Sequence, residues 1–307
     1  MDVQAPLLDD YLYLAGRPSI REFVGFARRH KINGVRPDKE ALCGEWRAAS
    51  EHISRLEKTE KGIADDLELS AIPDEMRQTA DAALDVPGIR TAWEGLSYQW
   101  RLVEIDRVVV FQKSINLRFV SEIKSAIPER FTHEDIIRVA VGQAWQTPPI
   151  RVTRSEEYTF LCMSNSNDVR ILEIESLDPR QIQDFDPPGH PGAVIAICVG
   201  FTTNILSAVK IRNRLVLING SHRAYALRDS GVTHVPCLVL DLPRPDDFEM
   251  KAPEAVKASP DLYLKSARPP LFKDYRDPLL HKLVQQPRTN QLVQLQIGYQ
   301  KISLAAV

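Results

Sequence analysis

The residues of this chain best suited to chemistry are Asn219, Gly220, Ser221, His222 and Arg223. They stand between a short apolar run of strand type, Leu215 to Ile218, and a helical stretch that turns Ala224 and Leu227 inward and stops at Gly231. Asn219-Gly220 breaks the strand, and Ser221 is expected to cap the helix. The free N–H groups of the first turn favour negative charge, and His222 and Arg223 add two side-chain donors beside them. That combination suits a phosphate or a carboxylate. The same spacing is also ordinary turn chemistry with a surface arginine. Thr202, Thr203 and Asn204 precede the strand expected to pair with the Leu215 to Ile218 run, so their side chains are placed to reach the same pocket. Polar residues at a strand start are equally normal in loops.

The segment Ile205 to Leu242, which contains LINGSHRAYALRDSGVTHVPCLVL, resembles the G-x-H-R-x-x-A signature of the ParB/sulfiredoxin-like superfamily. The preceding TNILSAVKIRNRLVLI is similar to that family's strand pair, and VRILEIESLDPRQI further upstream to its opening strand and helix. The resemblance implies an α+β fold, a mixed β-sheet with helices. It also implies that Gly220, Ser221, His222 and Arg223, with Asn219 and Asn204 beside them, hold the phosphates of a nucleotide (ATP or CTP, with Mg) or of a phosphorylated small molecule. Free-serine kinases of the superfamily need a carboxylate base near the opening strand, a role for which Glu173, Glu175 and Asp178 are the candidates. Three departures matter. Sulfiredoxins carry a catalytic cysteine where this chain has Ser221. The partition proteins, which are CTP-dependent DNA clamps, have GERR at the signature and a helix-turn-helix region after it. Here a proline-rich stretch follows instead.

The 307 residues suggest one large or two moderate domains with a sizeable core. A formal charge of -2 and a pI near 6.4 give no global basic footprint, so any DNA contact must rest on local patches. No stretch reaches the roughly 18 apolar residues of a membrane span, and the start lacks a positive n-region, so a cytoplasmic protein without membrane contact is expected. Cys43, Cys162, Cys198 and Cys237 are scattered without metal-ligand spacing and are expected as buried thiols.

Three parts are expected along the chain. Residues 1–95 read as helical, from SIREFVGFARRH, KEALCGEWRAASEHISRLEKTEKGIADDLELS and DEMRQTADAALDV. Trp46, Arg47, His52 and Arg55 recur on one side of the second helix, where Trp46 facing the core with exposed arginines is the expectation. Residues 96–245 read as one α/β domain with insertions, in which Thr132 caps a helix with Asp135 at its third position. His190, in a proline-glycine loop, is a candidate lid residue or merely part of a rigid connection. Residues 246–307 read as an extension ending in an edge strand. Its Lys265, Arg268, Lys273 and Arg276 near Phe272 and Tyr275 have the types that contact single-stranded nucleic acid, but Asp274 and Asp277 among them favour a solvated face.

Two functions follow. One is binding of a nucleotide or phosphorylated ligand at the G-S-H-R corner, with phosphoryl transfer or hydrolysis. The other is a non-catalytic ParB-like recognition module with a protein or DNA partner in a DNA-transaction or defence assembly.

Overall fold

The computed structural model of this chain describes residues 7–17, 19–29, 35–85, 96–143, 149–164, 166, 169–182, 189–201, 205–242 and 252–303. Helix and strand are mixed, an α+β structure in two compact units: Met1–Trp145 with Thr203–Arg288, and Gln146–Thr202 with Thr289–Val307. The first unit begins with β1 (Leu8–Leu14), α1 (Ile20–Arg29), α2 (Lys39–Thr59), β2 (Ser70–Ala71), α3 (Asp74–Leu84), β3 (Ser97–Glu104), β4 (Ser114–Asn116), α4 (Leu117–Ser125) and α5 (His133–Ala140). The second contributes β5 (Arg151–Glu156), β6 (Thr159–Ser164), β7 (Val169–Leu177) and β8 (Val194–Phe201). The chain then returns to the first unit as β9 (Ser207–Ile211), β10 (Arg214–Asn219), α6 (Ser221–Asp229), β11 (His234–Asp241), α7 (Glu254–Ala258) and β12 (His281–Pro287), and ends in the second with β13 (Gln291–Gln296).

The signature lies in a five-stranded sheet of order β10-β9-β11-β3-β2. β9 and β10 form an antiparallel hairpin around Arg212-Asn213, while β11 runs parallel to β9 and antiparallel to β3. Leu215 and Leu217 of β10 enter one core with Ala224 and Leu227 of α6, whereas Val216 enters a second core with Val209, Ile211 and Leu240. Both faces are covered, which is why the strand reads as an unbroken apolar run. The hairpin turn puts Arg212 at φ 57. It is held from outside: the Asp66 N–H donates to the Asn213 carbonyl at 2.8 Å, and the Arg214 guanidinium donates to Asp65 at 2.7 Å and to the carbonyls of Tyr263 and Ser266 at 3.0 and 2.7 Å.

The expected helices of the N-terminal part form, with two corrections. Residues 8–14 are not helical: β1 is the central strand of a sheet ordered β12-β1-β4. It separates two cores, Leu12 and Leu14 facing one, and Tyr13 and Ala15 facing the other beside Phe23 and Leu42. Alternation serving two cores leaves no polar face, so the period-2 signal is hidden. The second helix, expected to reach Ser70, ends at Thr59. Gly62 takes a left-handed φ of 76, and its N–H donates to the Ala267 carbonyl at 2.9 Å, which draws the chain toward the 266–276 segment. The Thr132–Asp135 capping box forms as the spacing predicts.

The second unit holds the sheet β13-β6-β5 and the two-stranded ribbon β7-β8. β13 is the edge strand expected of the tail, antiparallel to β6. VRILEIESL forms β7 and pairs with β8 in this unit, so the strand that the resemblance makes the opening of the signature fold lies outside the signature sheet. The insertion thus gathers with the tail into a unit of its own, which divides the chain differently from the three consecutive parts expected. Cys162 and Cys237 are buried and Cys43 is half-buried, but Cys198 is exposed, because a two-stranded ribbon leaves it open to one side.

Candidate functional site

The signature corner is built by the end of β10, the glycine turn and α6. Gly220, not Ser221, occupies the cap position, at φ 92, and its carbonyl accepts the Ala224 N–H at 2.8 Å. A Cβ at Gly220 would come within 3.0 Å of both the Leu206 Cα and the Arg223 guanidinium. The position therefore demands glycine for its dihedral and for its space. Ser221 is the first helical residue and is buried, and Asn219 is half-buried.

The two side chains expected to make the corner cationic are engaged by the protein itself. Arg223 is 3 % exposed, and its guanidinium donates to the Ala140 carbonyl at 2.6 Å, at the last residue of α5. The same carbonyl accepts the Leu206 N–H at 2.8 Å. A cation at a helix C-terminus is favoured by the orphan carbonyls there. His222 accepts the Asn116 N–H on Nε2 at 3.0 Å and meets the Phe119 ring edge to face at 5.7 Å. Burial, reinforced by the charge of Arg223, pushes its pKa down to about 4. An acceptor Nε2 fixes the neutral ring with its proton on Nδ1.

Asn116 connects this corner to a buried ion cluster. Its Oδ1 caps α4 by accepting the Arg118 N–H at 2.9 Å, and its amide donates to Asp9 at 3.4 Å. Asp9 also accepts from Arg118 at 3.1 Å and from Arg288 at 3.0 Å. Burial works against its charge, but the hydrogen bonds from Arg288 and Arg118 prevail and hold its pKa below the ordinary carboxylate range.

The carboxylate candidates belong to the second unit. Glu173 and Glu175 are exposed on β7, and Asp178 is bonded to Arg180 at 2.9 and 2.5 Å while capping the turn that follows. His190 is exposed in the same unit. Thr202, Thr203 and Asn204 lie outside the described residues. Among the described residues no three His, Cys, Asp or Glu side chains gather as metal ligands. The corner thus holds the Arg223 guanidinium between the glycine turn and the Ala140 carbonyl, with His222 accepting the Asn116 N–H.

The tail cluster is not a base-stacking patch and is a solvated face only in part: Lys265 and Arg276 are exposed as expected, while the rest is packed. Phe272 and Tyr275 are fully buried, and Arg268, 1 % exposed, forks onto Asp274 at 3.1 and 2.5 Å and reaches Glu60 at 2.7 Å, which also takes Lys273 at 2.6 Å. Asp277 meets His52 of α2 at 2.9 Å. These contacts tie the 266–277 segment to α2. Trp46 packs on the third core with Arg47 and Arg55 exposed, as expected.

One open cleft of about 240 Å³ lies in the first unit, away from the signature turn, lined by Arg17, Glu22, Lys113 and Tyr263 among others. Sequence reasoning passed over it. The available signal was Gly16-Arg17 between a strand and a helix: Gly16, at φ 80, leaves room for the Ala49 backbone, which a Cβ would approach to 2.8 Å.

No protein-family model, no curated protein and no solved structure matches this chain. No described helix is long and apolar enough to cross a membrane.

Proposed function

We propose that this protein is a ParB-like recognition module that works by binding and not by turnover. The observation that carries the reading is the bond from Arg223 to the Ala140 carbonyl, which commits the signature arginine to holding α5 against α6. The ParB-like part of the reading is supported by local order: the hairpin β9–β10, a left-handed glycine, α6, and a return strand beside β9 follow one another as the resemblance requires. The absence of turnover is supported by the neutral His222, whose Nε2 already accepts the Asn116 N–H. A partner that is protein rather than DNA is supported by the second unit's strands, where Ile174, Ile195 and Val152 are 61 to 72 % exposed beside charges of both signs, Arg151 and Arg154 with Glu173 and Glu175. Phosphate release from ATP or CTP with magnesium tests this. The module reading expects the rate of buffer alone; turnover lost in Glu173→Gln or Glu175→Gln would establish nucleotide hydrolysis instead.

A further inference from the structure

Four charged side chains line the cleft beside α1: Arg17, Glu22, Lys113 and Asp274. Three of them are matched. Lys113 bonds Glu22, and Asp274 is taken by the Arg268 fork and the Leu271 N–H at 3.0 Å. Arg17 is different. Its side chain is 11 % exposed, and one nitrogen donates to the Arg268 carbonyl. Glu57, its ion-pair partner, stands 3.5 Å away and is itself 39 % exposed. Its Nε is buried with no acceptor among the described residues. Asp274 also favours the Arg17 charge but is shared with the Arg268 fork, so the cation is loosely compensated and its buried donor calls for an anionic acceptor.

Tyr263, 6 % exposed, lines the same space. Burial and then Glu22 raise the pKa of its hydroxyl while Arg17 opposes them, so the phenol stays protonated and available as a second donor near Arg17. The remaining lining combines apolar side chains, Leu14, Ile53, Val110 and Leu262 among them, with the polar Ser19, Gln112 and Ser259. At about 240 Å³ the cleft lies under the roughly 300–1,000 Å³ of drug-sized ligand pockets, too small for a nucleoside triphosphate. One loosely compensated cation matches a single negative charge.

From this geometry we propose that the cleft binds a small monocarboxylic acid, its carboxylate against Arg17 and Tyr263 and its short hydrocarbon body against Leu14, Ile53, Val110 and Leu262. The site shares no residue with the signature corner, so the inference stands independently of the ParB-like reading.

The test is a thermal-shift titration of the full chain with hexanoate and benzoate, each beside its neutral amide and beside inorganic phosphate at matched ionic strength. The proposal expects at least one acid to raise Tm in a saturable, concentration-dependent way, with no shift from the amides or phosphate. Ser259 is exposed and lines the cleft, so Ser259→Trp plugs it without touching the core. The plugged variant keeps its unliganded Tm and loses the response. Arg17→Lys, which keeps the charge but moves it off Nε, weakens apparent affinity at least tenfold. No shift from either acid, an equal shift from its amide, a shift from phosphate alone, or an undiminished response in Ser259→Trp would overturn the proposal.

Discussion

The Arg223 guanidinium and the Ala140 carbonyl, 2.6 Å apart and buried, join the first turn of α6 to the last turn of α5. The carbonyl already accepts the Leu206 N–H, so one oxygen gathers the helix end, the approach to β9 and the signature arginine. Removing the guanidinium by Arg223→Met should destabilise the chain by roughly 1.5 to 3 kcal/mol, the range for hydrogen bonds to charged groups. Urea unfolding measures it. An unchanged midpoint would show that the bond is not structural.

Gly220 and Gly231 both have left-handed dihedrals, φ 92 and φ 98, but only Gly220 is crowded. Gly231→Ala should cost only the backbone strain, about 1 to 2 kcal/mol. Gly220→Ala adds contacts at 3.0 Å with the Leu206 backbone and should cost clearly more in the same unfolding measurement. Equal losses would remove the packing argument.

His222 makes stability depend on pH in a defined window. Its folded pKa of about 4 lies below the ordinary 6.5, so between those values the unfolded chain binds the extra proton. Stability therefore falls as pH drops from 6.5 toward 4, by on the order of 3 kcal/mol at about 1.4 kcal/mol per unit, and this contribution is constant below. In His222→Gln, which cannot titrate, that slope should flatten. A slope identical to that of the native chain would place the titration elsewhere.

The hairpin, the glycine turn, α6 and β11 were legible because turn residues and apolar runs mark them locally. The Thr132–Asp135 box was legible for the same reason. β1 was hidden because Leu12, Tyr13 and Leu14 serve two cores at once, and the early end of α2 because it depends on the distant Ala267. At the site, sequence spacing located the corner but not the direction of its side chains. Whether Arg223 faces solvent or the end of α5 is decided by a helix more than eighty residues earlier. Arg268 shows the same blindness, since its carboxylates are Glu60, just past the end of α2, and Asp274, six residues after Arg268 itself.

Asp9 should be a sensitive acid of the first unit. Asp9→Asn leaves Arg288 and Arg118 facing a neutral group and loosens Asn116, the residue that holds His222. Arg118 and Arg288, 19 and 37 % exposed, stay partly solvated, so the loss should be roughly 1.5 to 3 kcal/mol. Because the native pKa is depressed, this contribution is present above the unfolded value near 3.9 and is lost as pH falls below it. Chemical unfolding at pH 7 and pH 3 separates the two: a large difference between native and variant at pH 7 should narrow at pH 3. A gap as wide at pH 3 would assign the loss to packing.

The central claim, that the signature is structural and the protein binds without turnover, is tested most directly by thermal shift against ATP, CTP and phosphoserine with and without magnesium. A ligand at a hundred times its Kd raises stability by about 2.7 kcal/mol, well within detection. The account predicts no shift for any of them, with Arg223→Met lowering the unliganded Tm. A saturable shift for one nucleotide, abolished in Arg223→Lys while the unliganded Tm is retained, would contradict it and return the corner to phosphate binding.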